Sequence, residues 1–323
     1  MEEDRSIRRA NVAAGAARGE AAAGRRLRSP WLGDRRGAAV DWATQRWVQL
    51  TGRRLEVDEG HWLDGPYGST DRIGADFFSR WASERGLEVM PSSPDAGLMP
   101  SLSELDGPGF DSRRVHPLVR DFYEHTAAYR LDIWSQWSGF FRPFGEALAW
   151  IFSRRLQQLN VPLAPLDSAR GMGSEIVRLV EPGRCPAAPV LTGWVRRNLG
   201  SGSTVYVGAY STARIPGHPA PCVKVVFPLP NGSATVIMKP SVADSGALVL
   251  ESSGRRIGDA GFYFRVRDRG SRSWVRYLRT FRERIRVYAE TDADSGVDVL
   301  RTDHTFTLWR RVFLRLHYRM ARG

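Results

Sequence analysis

The sequence predicts an α+β fold: two helices packed on a curved, mostly antiparallel β-sheet, half-barrel or barrel-like, preceded by a small helical module and a disordered tail. Three observations lead there. Past Ser174 the apolar residues recur at a period of two, whereas the stretch from Pro117 to Leu159 has the three-to-four-residue spacing of helices. Clusters of Gly, Pro, Asn and Ser separate the period-two runs. Helices that precede the strands, rather than alternating with them, belong to an α+β domain.

Taken in order, residues 1–29 hold seven Arg and four acids among Ala and Gly, with too little apolar bulk to offset the entropy of ordering. They read as a disordered basic tail. Residues 30–89 read as the helical module. Trp42, Trp47, Val48 and Leu50 mark one helix, and Thr70 would cap a second, from Asp71 to about Arg85, with Ile73, Phe77, Phe78 and Trp81 inward and Gly86 as its stop. Between them His61 to Gly68 is dense in turn formers and aromatics, an ordered loop containing His61 and Asp64. Residues 90–114, rich in Pro, Ser, Gly and Asp, read as a linker.

Pro117 then stands where a first helical residue belongs, and Leu118, Phe122, Thr126, Tyr129 and Ile133 predict a helix to about Trp134. Pro143 opens a second helix whose stripe runs from Phe144 to Leu159 and ends before Pro162. Its basic residues beside Phe140, Phe141, Trp150 and Phe152 also suit an interfacial helix, although the stripe matches a core helix better. Strands follow at 175–179, 191–196, 205–215, 222–228, 234–238, 247–251, 262–267, 285–290, 299–308 and 311–319. Pro230-Asn231-Gly232-Ser233 marks a hairpin. Trp274 to about Arg282 fits a short helix and also fits alternation.

The net charge is +12, and 45 of the 47 basic residues are arginine. That charge lies in residues 1–29 and 255–323, the intervening chain being neutral. Such a distribution suits an anionic partner, nucleic acid or lipid headgroups, and equally an outer sheet face solvated by arginines. Two widely spaced cysteines, Cys185 and Cys222, exclude a CxxC redox or zinc motif. The first residues lack the apolar core of a secretory signal, and no apolar run approaches a bilayer span, so the expected location is the cytoplasm with reduced thiols.

On the helix expected from Pro117, Asp121, His125 and Asp132 fall within roughly 40° of one another, the arrangement that orients an imidazole for general base work. An ordinary polar helix flank has the same look. His304, alternating with Thr302, Phe306 and Leu308, would lie inside a concave sheet. Arg311, Arg315, His317 and Arg319 share one face of the last strand with Phe313 and would bind an anion if that face is concave. His218, between two prolines, suits a turn, and Gly171-Met172-Gly173-Ser174 lacks both the nucleophile elbow and the Walker lysine. No cofactor and no metal site is implied.

The stretch Phe122-Tyr123-Glu124-His125-Thr126, continuing through Leu131-Asp132-Ile133-Trp134 to Phe152-Ser153-Arg154-Arg155-Leu156-Gln157-Gln158-Leu159-Asn160-Val161-Pro162-Leu163, resembles an uncharacterised family of proteins from high-GC bacteria. The resemblance runs over roughly residues 115–320. It implies no activity, and no catalytic residue is carried over from it.

Three functional readings result. The leading one is a curved sheet enclosing an apolar or amphiphilic small molecule, with arginines fixing an anionic group. The second is an enzyme of hydrolase, isomerase or cyclase type using His125 with Asp121 or Asp132. The third is an adaptor that holds a nucleic acid or a membrane surface through the tail and final strands.

Overall fold

The computed structural model describes residues 38–56, 59–68, 72–139, 141, 143, 156, 158, 171–183, 189–267, 272–291 and 296–323. Among these, ten strands close into an antiparallel barrel. The ring runs β3 (Tyr129–Trp137), β4 (Met172–Val180), β5 (Leu191–Asn198), β6 (Thr204–Ala213), β7 (Cys222–Leu229), β8 (Gly232–Val242), β9 (Leu248–Glu251), β12 (Phe281–Thr291), β13 (Asp298–Leu308) and β14 (Arg311–Arg322), and returns to β3. Of the two predicted forms, half-barrel or barrel-like, the sheet takes the barrel, and closure removes the unpaired edges that an open sheet of this size would expose.

Strand β8 is the branch point. Its second half, Lys239–Val242, pairs with β9 and closes the ring. Its first half pairs with β10 (Gly261–Arg267), which continues outward through β11 (Ser273–Tyr277) to β1 (Arg53–Leu55). The thinnest seam lies between β3 and β4, which share the single ladder pair Leu131 with Met172.

One predicted helix gives way to a strand partway along, and the stretch from Trp274 that fitted either period is a strand. Helix α3 (Pro117–Glu124) begins at Pro117, where His116 caps it by accepting the Leu118 N–H at 3.3 Å, but it stops at Glu124 instead of continuing to Trp134. After one 3-10 turn the chain enters β3, in which Tyr129, Leu131, Ile133 and Ser135 are buried and the residues between them exposed. Tyr129 and Ile133 satisfy a helical spacing as well as an alternating one, and the ladder with β14 decides for the strand. Residues 273–277 likewise pair as β11 rather than forming a helix from Trp274.

The second long helix falls largely outside the described residues; of it, Pro143 and Leu156 are helical. The cap predicted at Thr70 also lies outside them, and α2 spans Phe77–Ser83, starting later than the Asp71 expected.

Residues 96–128 fill one end of the barrel. Leu98, Met99, Leu102, Leu105 and Phe110 join α3's Val119, Phe122 and Tyr123 in the same core as the inward faces of the strands. Gly97 allows this closure, because a Cβ there would stand 2.2 Å from the Glu124 carbonyl oxygen. On the outside, helix α1 (Ala39–Thr51) lays Val48 and Trp47 on Val266 and Phe264 of β10. Helix α2 buries Phe77 and Phe78 against Val177, Val195 and Val207 on β4 to β6. Beyond α2, β2 (Glu88–Val89) pairs with β4.

Candidate functional site within the barrel

The inward face of β5 carries Trp194 and Arg196, and Arg196 lies directly opposite Ser174 of β4 and Tyr206 of β6. A charged side chain on an inward strand position is rare, since burial of an ion is costly without a partner. Arg196 is 5% exposed. Its guanidinium carbon stands 4.1 Å from the Trp194 ring centre, 5.2 Å from that of Tyr206 and 5.0 Å from that of Tyr318 on β14. It also hydrogen-bonds the Tyr318 hydroxyl. Among the described residues no carboxylate lies within ion-pair distance of it, and its Nε has no hydrogen-bond partner. Trp194 Nε1, Ser174 Oγ and Ser135 Oγ, all inward on β3 to β5, are unpartnered too.

A second polar pair faces the same interior. His304 Nε2 and Glu283 Oε1 are 2.6 Å apart, both largely buried. Glu283 is held by Ser252, whose hydroxyl accepts the Glu283 N–H at 2.8 Å while its own N–H donates to the Glu283 carbonyl at 2.9 Å. The His304 ring packs on Phe306 with centres 4.0 Å apart, which leaves it little freedom to rotate.

Tyrosines connect the two polar centres. Burial pushes the Tyr206 and Tyr318 hydroxyls above the ordinary value for tyrosine, with Arg196 pulling both down and Glu283 pushing both up. Tyr210 is raised chiefly by burial and hydrogen-bonds Tyr123 of α3, itself raised by burial. Arginine, carboxylate, imidazole and neutral hydroxyls thus converge within a wall otherwise made of Val225, Val236, Leu250, Leu316 and similar side chains.

The end of the barrel opposite α3 has a cleft of about 500 Å³ lined by Ser138, Gly139, Phe141, Leu308, Trp309, Arg311 and Val312. At it Phe141, Phe281, Phe306 and Phe313 pack at tilted angles, with ring centres about 6 Å apart. Phe306 connects this layer to His304. Phe313 faces this layer because a bulge between Phe306 and Thr307 shifts the register against β14.

The residues singled out in the sequence separate into three places. His304 is in the interior. Arg315, His317 and Arg319 are exposed on the outer wall, where His317 pairs with Asp303 at 2.9 Å, and Arg311 is exposed at the cleft. The face they share is convex, so they do not join His304.

Asp121 and His125 do meet, with Nδ1 and Oδ1 3.1 Å apart, but Asp132 lies on the outward side of β3 opposite Arg319. Asp121 also accepts the Tyr129 hydroxyl at 2.5 Å and pairs with Arg322 at 3.0 Å. That carboxylate ties the end of α3 to the adjacent ends of β3 and β14. His61 and Asp64 lie outside the barrel, where Asp64 pairs with the buried Arg265 at 2.6 Å. Cys222 is buried in β7 with its thiol pushed up to about 12 by burial, which makes it inert, and Cys185 falls outside the described residues.

Arg196, Glu283, Tyr206, Tyr210 and Tyr318 were not marked as site residues in the sequence. The signal was present for Arg196, which shares an alternation with Trp194 and not with the outward Val195. Glu283 falls between the stretch from Trp274 to about Arg282, which fits either period, and the strand expected from Ile285.

No helix among the described residues is long and apolar enough to cross a membrane. No family model matches the chain, and no solved structure matches it. The chain is similar to the uncharacterised membrane protein YndJ of Bacillus subtilis (strain 168), 31% identical over 200 residues, 61% of this chain and 34% of that protein, so it spans about a third of this relative's length.

Proposed function

We propose that the barrel binds a small amphiphilic molecule whose anionic group meets Arg196 and whose apolar part lies against the aromatic and aliphatic wall. The observation that carries this reading is a buried guanidinium with no carboxylate in ion-pair range among the described residues, surrounded by further unpartnered polar atoms. A lone buried cation costs several kcal/mol, and an anion presented by a ligand offsets that cost in a way that neutral rings do so only in part. Apolar walls with a few convergent polar groups are the usual composition of small-molecule sites. The phenylalanine layer at the cleft is the entry the geometry favours.

The test is native mass spectrometry of the full chain purified from its own host, followed by uptake of the anionic dye anilinonaphthalene sulfonate. A retained amphiphile, and dye uptake lost in Arg196→Met, supports the proposal. Equal uptake by both proteins would end it.

The 2.6 Å His304–Glu283 pair supports a second reading, an enzyme whose imidazole acts as general base on a molecule held by Arg196. Turnover of a retained molecule that disappears in His304→Gln, with binding intact, separates catalysis from simple storage.

A further inference from the structure

The turn joining β13 to β14 is built against its own backbone preference. Leu308 pairs with Arg311, leaving Trp309 and Arg310 as a two-residue loop in which both have positive φ, 48° and 67°. Hairpin turns of this kind are normally made of Asn and Gly, because a Cβ is disfavoured there. Trp309 is nevertheless 67% exposed, so its indole is not retained for packing. Strain kept at an exposed aromatic points to a partner outside the molecule.

The surroundings specify the chemistry of that partner. The Trp309 N–H donates to the Thr280 carbonyl at 2.9 Å, which brings Arg279 beside the turn. Arg282, Arg310, Arg311 and Arg315 complete an exposed set on the two neighbouring segments, 279–282 and 305–315, which contain no acidic residue. Among the described residues none of these five arginines has a carboxylate within ion-pair distance. Of the other outer-wall arginines, Arg284 pairs with Glu251 at 3.0 Å and Arg301 with Glu290 at 2.6 Å. Five exposed arginines therefore stand on the two segments that flank the protruding indole.

We propose that the Trp309 hairpin and its five arginines dock the cleft end of the barrel onto an anionic lipid bilayer, with the indole at headgroup depth. A single projecting tryptophan ringed by cations suits a soft planar interface, where tryptophan partitions and each basic residue adds attraction to acidic lipids. Docking of this kind presents the cleft to the lipid phase, and it does not require that the barrel interior hold a ligand.

The experiment is co-sedimentation of the full chain with vesicles of phosphatidylcholine alone or mixed with phosphatidylglycerol, at low and raised salt. The expected result is binding to the mixed vesicles only, weakening as salt rises. Each of Arg279→Gln, Arg311→Gln and Arg315→Gln should weaken it about fivefold, the equivalent of about 1 kcal/mol per basic residue. Trp309→Asn combined with Arg310→Gly installs the residues the turn prefers, so the hairpin is retained while affinity falls about tenfold or more. Three results would overturn the proposal: equal binding to neutral vesicles, unchanged binding by the hairpin variants, which would assign it to the basic N-terminal residues, or a duplex oligonucleotide that binds where vesicles do not compete.

Discussion

Replacing Arg196 by methionine sets two opposing energies against each other within one site. The guanidinium has three aromatic faces 4.1 to 5.2 Å from its carbon, worth roughly 0.5 to 2 kcal/mol each when desolvated, and one charge-assisted hydrogen bond to Tyr318, worth about 1.5 to 3 kcal/mol. Against these contacts stands the burial of an ion with no carboxylate at ion-pair distance among the described residues, which costs several kcal/mol even after relaxation. Methionine keeps most of the volume, removes the ion and retains a sulfur able to contact the same rings.

The balance for the ligand-free protein is a change of no more than about 2 kcal/mol, of either sign, where truncating a structurally paired arginine would cost about 3 to 5 kcal/mol. Equilibrium denaturation in urea, with stability read from the midpoint at unchanged slope, measures it. A loss above about 3 kcal/mol would refute the reasoning, because it would mean that the protein's own groups already satisfy the cation. The same variant should lose the stabilisation that a bound anionic amphiphile confers on the wild-type chain.

Four further outcomes follow from particular contacts. A Cβ on Gly193 would stand 2.4 Å from the Phe78 ring, so Gly193→Ala should cost about 1 to 3 kcal/mol by overpacking, and an unchanged denaturation midpoint would show that α2 moves aside freely. Tyr123, Tyr206, Tyr210 and Tyr318 are raised by burial, which holds them neutral in the folded state while unfolded tyrosines ionise near pH 10. Stability should therefore be flat in this respect below about pH 10 and fall as pH rises above it; ionisation of these four near pH 10 in a protein with intact circular dichroism would contradict it. Asp121→Ala removes one hydrogen bond and two part-exposed ionic contacts, for an expected loss of about 1 to 2 kcal/mol by urea denaturation, and no loss would show that the carboxylate does not tie α3 to the strand ends. Trp309→Asn with Arg310→Gly relieves two left-handed residues and should raise stability by about 1 to 2 kcal/mol; a fall in melting temperature would show that the turn is not strained.

The strands are largely legible in the sequence itself. Nearly every period-two run past Ser174 is a strand of the barrel, since alternation is imposed by a wall with one apolar face, and Pro117 marked a helix start for a reason internal to proline. What failed did so where one pattern satisfies two periods: Tyr129 and Ile133 fit a helix, and only the ladder with β14 shows them to be a strand. Asp132 left the expected trio for that reason.

The candidate site was less legible than the fold, because inward and outward are properties of a closed surface and alternation marks two faces without saying which is concave. Arg315, His317 and Arg319 looked equivalent to His304 along the chain, and ring closure through β8 and β9 turned them outward while turning Arg196, Glu283 and Tyr318 toward one another across the interior. The sequence by itself determined most strands past Ser174, their turns and the location of the positive charge, all of which rest on neighbours a few residues apart. The tertiary structure alone decided which polar side chains share a buried space, because those contacts join strands far apart in sequence, such as Arg196 with Tyr318 and Glu283 with His304, once the pairing of β8 with β9 has closed the barrel.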